Sequence, residues 1–486
     1  MKTNIKFNLL ICFNVLIITT FLSCGSIRSN EYKSPGENDF IKISPKDSNY
    51  FSTEDGTTWI PIMIDYIVPA GQEEEKALKT IESYFKNFSE NGGNSMRIWI
   101  SSPFLEIEDS KAGEYNPQKF HRIDELLKFA EQYQIKVKFT LQHIRTISAK
   151  ESWSNSTILS LDNNGPLKDI LEYVATPEGK KYYLKRAKAL SNKYKDNKQI
   201  FGWELWNEMD ALSGIKDEIW FSFSSEILDS IKALFPNHLV TQTLGSLHSE
   251  DANMRYEKLF TLNNNEFVSV HRYLDPGQDW NQYDEVTMPI DLLVHSAVDF
   301  AQTYVKDRPI VINEIGAVEG NHAGPSKLYA IDTAGVLIHD MIFAPFFSGA
   351  AGTGGLWHWN DYIQRQNLWY HFNRFKMAIE GIDPAEEGFR PFTFNVDGVR
   401  NYGLKGKGKT MIWCRDSENN WMTELEEKIP AKPRKNFSIQ LSDLEENDFS
   451  DAKVYDPWSD KWTDIKLENE TITLPSFTRS VVVVLY

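Results

Sequence analysis

From Tyr50 onward the hydrophobic positions recur in one rhythm. A short apolar, β-prone run is followed each time by a longer stretch with apolar residues at helical spacing. The runs are 59–64, 95–100, 137–141, 200–206, 239–243, 267–270, 309–312 and 354–357, eight in all. Between them, Ile123 to Ala130 has the period of an amphipathic helix. Thr176-Pro177-Glu178 reads as a helix start with proline in the first turn, and 329–344 is apolar enough for a buried helix. Eight alternating β and α units predict an α/β protein built on a (β/α)8 TIM barrel. A doubly wound sheet would need a glycine-rich turn after its first strand, and Asp65-Tyr66 offers none. After about residue 395 the texture changes to short strands around Thr410–Cys414, Ser438–Leu441, Lys453–Tyr455 and Ser480–Leu485, with turns at 417–420 and 456–460. This predicts a C-terminal all-β sandwich over 396–486, after a barrel over 46–395.

The first residues follow another pattern. Lys2 and Lys6 precede an apolar run from Phe7 to Leu22, too short for a membrane span of about 20 residues but suited to an export signal. The run ends in Phe21-Leu22-Ser23-Cys24-Gly25, which resembles a bacterial lipobox, with Phe21 and Leu22 departing from the usual residues. That resemblance implies a lipoprotein signal peptide over 1–24 and lipidation at Cys24, followed by a polar linker over 25–45. The mature chain is then expected to cross the inner membrane and stay lipid-anchored at the cell envelope (outer membrane or surface) or in the periplasm. Cys12, Cys24 and Cys414 are the only cysteines, so lipidation of Cys24 leaves Cys414 without an intrachain partner.

Composition narrows the field of partners. Among 486 residues the formal charge is −16, which argues against nucleic acid, because phosphate binding needs clustered Lys and Arg. Hydrophobic residues are 41% and charged residues 25%, enough for a packed core. The 14 Trp hint at flat, weakly polar ligands, although core packing accounts for most tryptophans. No Cys or His cluster has zinc spacing.

The chemistry stands at the ends of runs, where barrel enzymes carry it. The fourth run ends Trp206-Asn207-Glu208 and the seventh Ile312-Asn313-Glu314-Ile315-Gly316. Two carboxylates facing one cleft are the minimum equipment for cleaving a glycosidic bond. Arg97 stands on the second run, His271-Arg272-Tyr273 closes the sixth, and Trp357 and Trp359 stand on the eighth. Together these positions resemble glycoside hydrolase clan A, the retaining (β/α)8 enzymes, and most of all its cellulase- and mannanase-like members. The resemblance implies Glu208 as general acid/base, Glu314 as nucleophile and Asn207 on the sugar 2-hydroxyl. It implies Arg97 and Tyr273 against Glu314, His271 beside it, and a Trp floor under the cleaved sugar, with Trp357 favoured over Trp359. It further implies carboxylates about 5–5.5 Å apart, and a Glu208 compensated weakly enough to keep its proton near neutral pH.

Other readings stay open on the residues themselves. Arg97 also suits a buried structural pair with Glu204. His271 also suits a satisfied barrel-mouth histidine, and His143, ending the third run, either faces the cleft or supports it. A metal held by His143, His271 and His358 lacks carboxylate spacing and is not expected. Trp99, Trp206, Trp153 and Trp280 are candidates for sugar stacking, whereas Trp203 has the parity of a core residue. The loops 144–175 and 274–290 far exceed the usual two to six residues, and they either wall a cleft or block one end of it. Trp413, Trp421, Trp458 or Trp462 would serve as a platform if the sandwich bound sugar rather than acting as scaffold. The expected activity is hydrolysis of β-glycosidic bonds in a poly- or oligosaccharide, mannan or another β-hexan, by a monomer. The partner is a carbohydrate, no cofactor is implied, and the membrane is met only through the lipid. The rival function is a non-catalytic glycan-binding surface lipoprotein.

Overall fold

The computed structural model describes residues 39–486 except 147, 149, 276–287, 445–448 and 468–469. The expected export signal, Cys24 and Trp280 lie outside the described residues.

Five parallel strands run side by side: β1 (Met63–Tyr66), β2 (Ser95–Trp99), β3 (Lys136–Thr140), β4 (Ile200–Glu204) and β5 (Leu239–Thr241). A second arc pairs β6 (Val268–Leu274) with β7 (Ile310–Ala317). One seam is closed by Glu266 N donating to Val240 O at 3.1 Å. At the other seam Leu356 forms single parallel bridges to Ile64 and to Ile315. The eighth run is therefore one bridging residue rather than a ladder. Its glycines explain this: a Cβ on Gly355 would stand 2.2 Å from Asn313 O, so the close approach demands glycine, and glycine gives an extended strand no side chain to pack.

Helices α1 (Glu74–Glu90), α2 (Pro117–Gln132), α3 (Pro177–Tyr194), α4 (Asp217–Leu234), α5 (Glu250–Phe260), α6 (Ile290–Tyr304), α7 (Val336–Phe347) and α8 (Tyr370–Ala378) surround the barrel. Helix α3 starts as its Thr-Pro pair predicts, with Thr176 Oγ1 accepting from Gly179 N at 3.1 Å. Helix α7 begins later than the apolar run. Asp332 accepts from the backbone N–H of Gly335, Val336 and Leu337, and Gly335 takes φ 76°, which sets the start there. Every residue of α7 is buried, because the barrel covers one side and the C-terminal sheet the other.

The expected linker over 25–45 is already part of the fold at its end. Phe40 and Ile41 are buried, with Phe40 against His238 at 5.6 Å between ring centroids. Short strands at Lys42–Ile43, Phe51–Ser52 and Thr58–Trp59 pair antiparallel, and Phe51 and Trp59 pack on Phe267 and Phe201.

The C-terminal unit contains β8 (Arg390–Val396), β9 (Val399–Lys405), β10 (Thr410–Asp416), β11 (Ser438–Gln440), β12 (Ala452–Asp456), β13 (Lys461–Ile465), β14 (Thr471–Thr473) and β15 (Ser480–Leu485). Six form an antiparallel sheet in the order β8-β9-β10-β15-β12-β13, and β11 pairs with β14 as a small second layer. The sheet starts at Arg390, ahead of the boundary expected at 396. Ile412, Cys414, Ile439, Ile472 and Val483 fill the space between the layers.

The other face of the large sheet is joined to the barrel. Trp413 lies over Phe343 of α7 at 6.0 Å. Arg415 binds Asp340 through Nε at 2.8 Å and Nη2 at 2.9 Å, both side chains fully buried or nearly so. Arg400 Nε and Tyr402 OH both reach Asp291 Oδ2, at 2.6 and 2.7 Å. A sugar platform on this unit is not supported. Trp413 and Trp421 are buried, Trp421 Nε1 donating to Met288 O at 3.1 Å. Trp458 sits under the Arg479 guanidinium and Trp462 packs on Tyr455. The unit is fastened to α6 and α7.

Candidate active site

Arg97, on β2, is fully buried at the centre of the site. Its Nε and Nη2 each donate to Glu204 at 2.7 Å, and Nη2 also donates to Asn207 Oδ1 at 2.7 Å. Its Nη1 donates to Glu314 Oε1 at 2.5 Å and to Asp65 Oδ1 at 3.0 Å. Both readings of Arg97 therefore hold at once. One face of the planar fork is tied to structural Glu204 and the other to Glu314. Thr243 Oγ1 and Thr140 Oγ1 also donate to Glu204, at 2.6 and 3.2 Å. Burial disfavours the Glu204 charge, but Arg97 and Lys138 outweigh it and hold this carboxylate well below its usual range.

Glu314 projects from β7, where a register shift falls between Ile312 and Glu314. Its second oxygen accepts from Tyr273 OH at 2.8 Å. Gly316 makes room for that contact, since a Cβ there would lie 3.0 Å from the Tyr273 ring. Glu208 follows β4 in the left-handed region, at φ 51° and ψ 60°. Such a conformation is costly for a non-glycine residue and typical of functional turns. One oxygen each of Glu208 and Glu314 and Nδ1 of His271 lie within 4.8 Å of one another.

His271 stands between the two carboxylates. Its Nδ1 lies 3.0 Å from Glu208 Oε1 and 3.4 Å from Glu314 Oε2. Burial opposes an imidazolium, but the charges of Glu314 and Glu208 outweigh it and raise the basicity of the ring. Glu208 is more compensated than the sequence suggests. Arg145 Nη1, from the loop after β3, lies 3.0 Å from Glu208 Oε2. Burial would raise the Glu208 pKa, but the His271 hydrogen bond and the Arg145 charge outweigh it and hold it down to about 2. In the free enzyme Glu208 is thus ionised near neutral pH, contrary to the expectation of a retained proton.

The aromatic candidates separate clearly. Trp357 and Trp99 meet at 5.5 Å, and His143 stacks on Trp99 at 4.9 Å and 24°. His143 Nδ1 lies 2.6 Å from Ser101 Oγ, and burial holds its pKa down to about 4. Trp99 and His143 border a cavity of about 1070 Å³, lined also by Glu108, Arg145 and Arg186 and walled by the long loop after β3. His143 thus faces the cleft. Trp359 packs behind Trp357, against Tyr66 at 5.8 Å. Trp206 is fully buried, stacks on Tyr183 and donates to Ile144 O at 2.9 Å, so it is core and not a sugar platform. Trp153 is buried against Tyr173, and Trp203 is core as its parity predicts. His358 is buried with Nδ1 3.2 Å from Tyr329 OH, away from His143 and His271 as a ligand set.

Asp65, Lys138 and Arg145 escaped the sequence reading. Burial pushes the Asp65 carboxyl up to about 7 despite Arg97 beside it. Among the described residues the one cluster with cation-ligand spacing is Glu208, His271 and Glu314 itself. Arg97 and Arg145 already supply positive charge to its two carboxylates, and no metal is assigned to it.

Several known proteins resemble the chain in sequence or in fold. A mannan endo-1,4-beta-mannosidase (number 7) of Arabidopsis thaliana is 21% identical over 414 residues, covering 78% of this chain and 87% of that one. A crystal structure of a glycoside hydrolase family 5 protein from Bacteroides vulgatus superposes with TM-score 0.62 at 14% identity, covering 93% of this chain and 94% of that one. The endo-1,4-beta-mannanase of Rhizomucor miehei superposes with TM-score 0.50 at 17% identity, covering 69% and 99%. The cellulase family, glycosyl hydrolase family 5, matches residues 61–337, more than half of the chain. On that match the chain belongs to glycoside hydrolase family 5, and it is a retaining glycoside hydrolase acting on β-glycosides.

Proposed function

We propose that the enzyme cleaves a β-linked mannan or a similar β-hexan by double displacement, with Glu314 as nucleophile and Glu208 as acid/base. The observation that carries this reading is the carboxylate pair, whose nearest ligand oxygens lie within 4.8 Å of each other. That spacing suits retention, since inversion needs room for a water between the carboxyl groups, about 6.5–9.5 Å.

Arg97 and Tyr273 donate to the two oxygens of Glu314, so they orient it and stabilise its charge until it attacks the anomeric carbon. Glu208, protonated when the substrate is bound, gives its proton to the leaving oxygen. It then takes a proton from the water that hydrolyses the glycosyl-enzyme. Arg97 occupies Asn207 Oδ1, which leaves the amide Nδ2 donors for the sugar 2-hydroxyl. Trp357 floors the cleaved sugar, with Trp99 and His143 continuing the aromatic wall. The likeness to the Arabidopsis mannan endo-1,4-beta-mannosidase and the Rhizomucor endo-1,4-beta-mannanase favours mannan among β-hexans. Export with lipidation at Cys24, retention at the cell envelope and action as a monomer complete the proposal. No described helix is long and apolar enough to cross a membrane, so any membrane contact we propose runs through that lipid.

A panel of β-mannan, β-glucan, xylan and galactan, with product sizes measured over time, tests the substrate. Turnover of mannan above the others is expected, lost in Glu314→Gln with sugar binding kept. Turnover confined to xylan or galactan would reject the substrate, and an active Glu314→Gln would reject the nucleophile.

A further inference from the structure

Two buried side chains beneath the carboxylate pair have no part in the steps above. Lys138 stands on β3 and Asn313 immediately precedes Glu314 on β7, and both are fully buried. Lys138 Nζ donates to Asn313 Oδ1 and lies 3.5 Å from Glu204 Oε2. At the other end of the same amide, Asn313 Nδ2 lies 2.9 Å from His271 Nε2. His271 Nδ1 in turn lies 3.0 Å from Glu208 Oε1. A continuous line of side chains thus runs from Lys138 through Asn313 and His271 to Glu208.

The hydrogen-bonding inventory decides the direction of every bond in that line. An ammonium has donors and no lone pair, so the Asn313 atom facing it is the oxygen. The amide nitrogen, a donor only, therefore faces His271. Nε2 of His271 must accept and carries no proton, so the ring proton sits on Nδ1 and is donated to Glu208. An imidazolium would set an N–H against the Asn313 N–H. Turning Asn313 over would set its NH2 against the ammonium. Neither donor could turn to water, because all three side chains are fully buried.

We propose that Lys138 and Asn313 are positioning residues that hold His271 as a neutral Nδ1–H donor and thereby confine the catalytic proton of Glu208 to Oε2. This rests on the reading of Glu208 as acid/base. With Oε1 occupied by the His271 N–H, a protonated Glu208 carries its hydrogen on Oε2. That is the oxygen beside Arg145 Nη1, and because Arg145 itself lines the cavity after β3, we place the leaving oxygen on that side. The other tautomer would accept at Nδ1 and draw the proton onto Oε1, away from the leaving oxygen. The groups facing His271 are Glu208 after β4, Glu314 and Asn313 on β7, Arg97 on β2 and Tyr256 of α5, whose hydroxyl accepts from the His271 backbone N–H at 3.1 Å. The two carboxylates favour a second ring proton. Asn313 withholds the place for it.

The test is 15N NMR of the full chain labelled at histidine, with the His271 signals identified by their loss in His271→Gln. The expected result in the wild type is an unprotonated Nε2 and a protonated Nδ1 from about pH 5 to about pH 7, below the value of about 8 to which burial lowers the Lys138 ammonium. A protonated Nε2 anywhere in that range overturns the proposal, and this measurement needs no variant of the relay to fold. In Asn313→Asp a carboxylate accepts where the amide donated, so His271 is expected to become imidazolium. The kcat should then fall on the order of tenfold or more for glycosides with poor leaving groups, and less for activated aryl glycosides. Unchanged ring protonation in Asn313→Asp, or an equal loss on both substrate types, also overturns it. Glu208→Ala separates the underlying reading. If that variant shows no dependence on leaving group, the acid/base assignment fails, whatever the NMR says of the relay.

Discussion

Arg145→Gln isolates the electrostatics of the acid/base. In the free enzyme the guanidinium Nη1 stands 3.0 Å from Glu208 Oε2, and glutamine keeps a donor there without the charge. Two unit charges at that distance interact by about 1.4 kcal/mol with water-like screening, and by about four times that at an effective dielectric constant of about 20. Arg145 is 35% exposed, so the lower figure is the better guide; it corresponds to about one pKa unit. The sign follows from the charge. Arg145 stabilises the carboxylate and depresses the Glu208 pKa, so its removal raises that pKa. The alkaline limb of kcat reports the general acid in the enzyme–substrate complex, where Glu208 carries its proton, and should move up by about one pH unit. The assay is a pH profile of kcat at saturating concentrations of a soluble β-linked substrate and fixed ionic strength. Raising the salt should shrink the gap between wild type and variant, because a partly exposed pair is screened. A limb that stays in place or moves to lower pH would refute this account of Glu208.

Other substitutions probe other links. Arg97→Lys leaves one ammonium where a fork serves Glu204, Asn207, Asp65 and Glu314, so kcat should fall on the order of a hundredfold or more; near-normal kcat would show that the fork is dispensable. Arg415→Ala strands Asp340 in the contact between sheet and barrel and should cost about 3–5 kcal/mol in denaturant unfolding, whereas Arg415→Met paired with Asp340→Leu should recover most of it. An Arg415→Ala loss within experimental error would mean that the sheet is not fastened there. Trp357→Ala should impair turnover with little change in melting temperature, and Trp359→Ala should do the reverse through its contact with Tyr66. The opposite pattern would exchange their roles.

Much of the barrel was legible because its strands are short apolar runs separated by amphipathic helices, a rhythm that survives without any knowledge of loops. The eighth strand was legible only as a position. Its glycines promise a close approach, and in the fold that approach shrinks pairing to Leu356. Glu208 and Glu314 could be found because strand ends in a barrel converge on one mouth. Their partners were harder to see. Arg145 lies in a long loop with no period to place it. Lys138 did carry a signal, a charge in the middle of the third apolar run, and such a residue inside a barrel must be paired. Trp206 misled because it closes a strand beside Glu208, yet its indole turns to Ile144 O and Tyr183 rather than to the cleft. The C-terminal strands Arg390–Val396 and Lys461–Ile465 were missed because three of seven and two of five of their residues are polar and exposed, which weakens the apolar signal.

Double displacement requires a covalent intermediate on Glu314. It is tested most directly by incubating the enzyme with a 2-deoxy-2-fluoro-β-glycoside bearing a good leaving group, followed by peptide mass spectrometry. Inactivation with the sugar attached to the peptide at Glu314 is the expected result. A label on another residue, or ready turnover with an inverted first product and no label, would contradict the account.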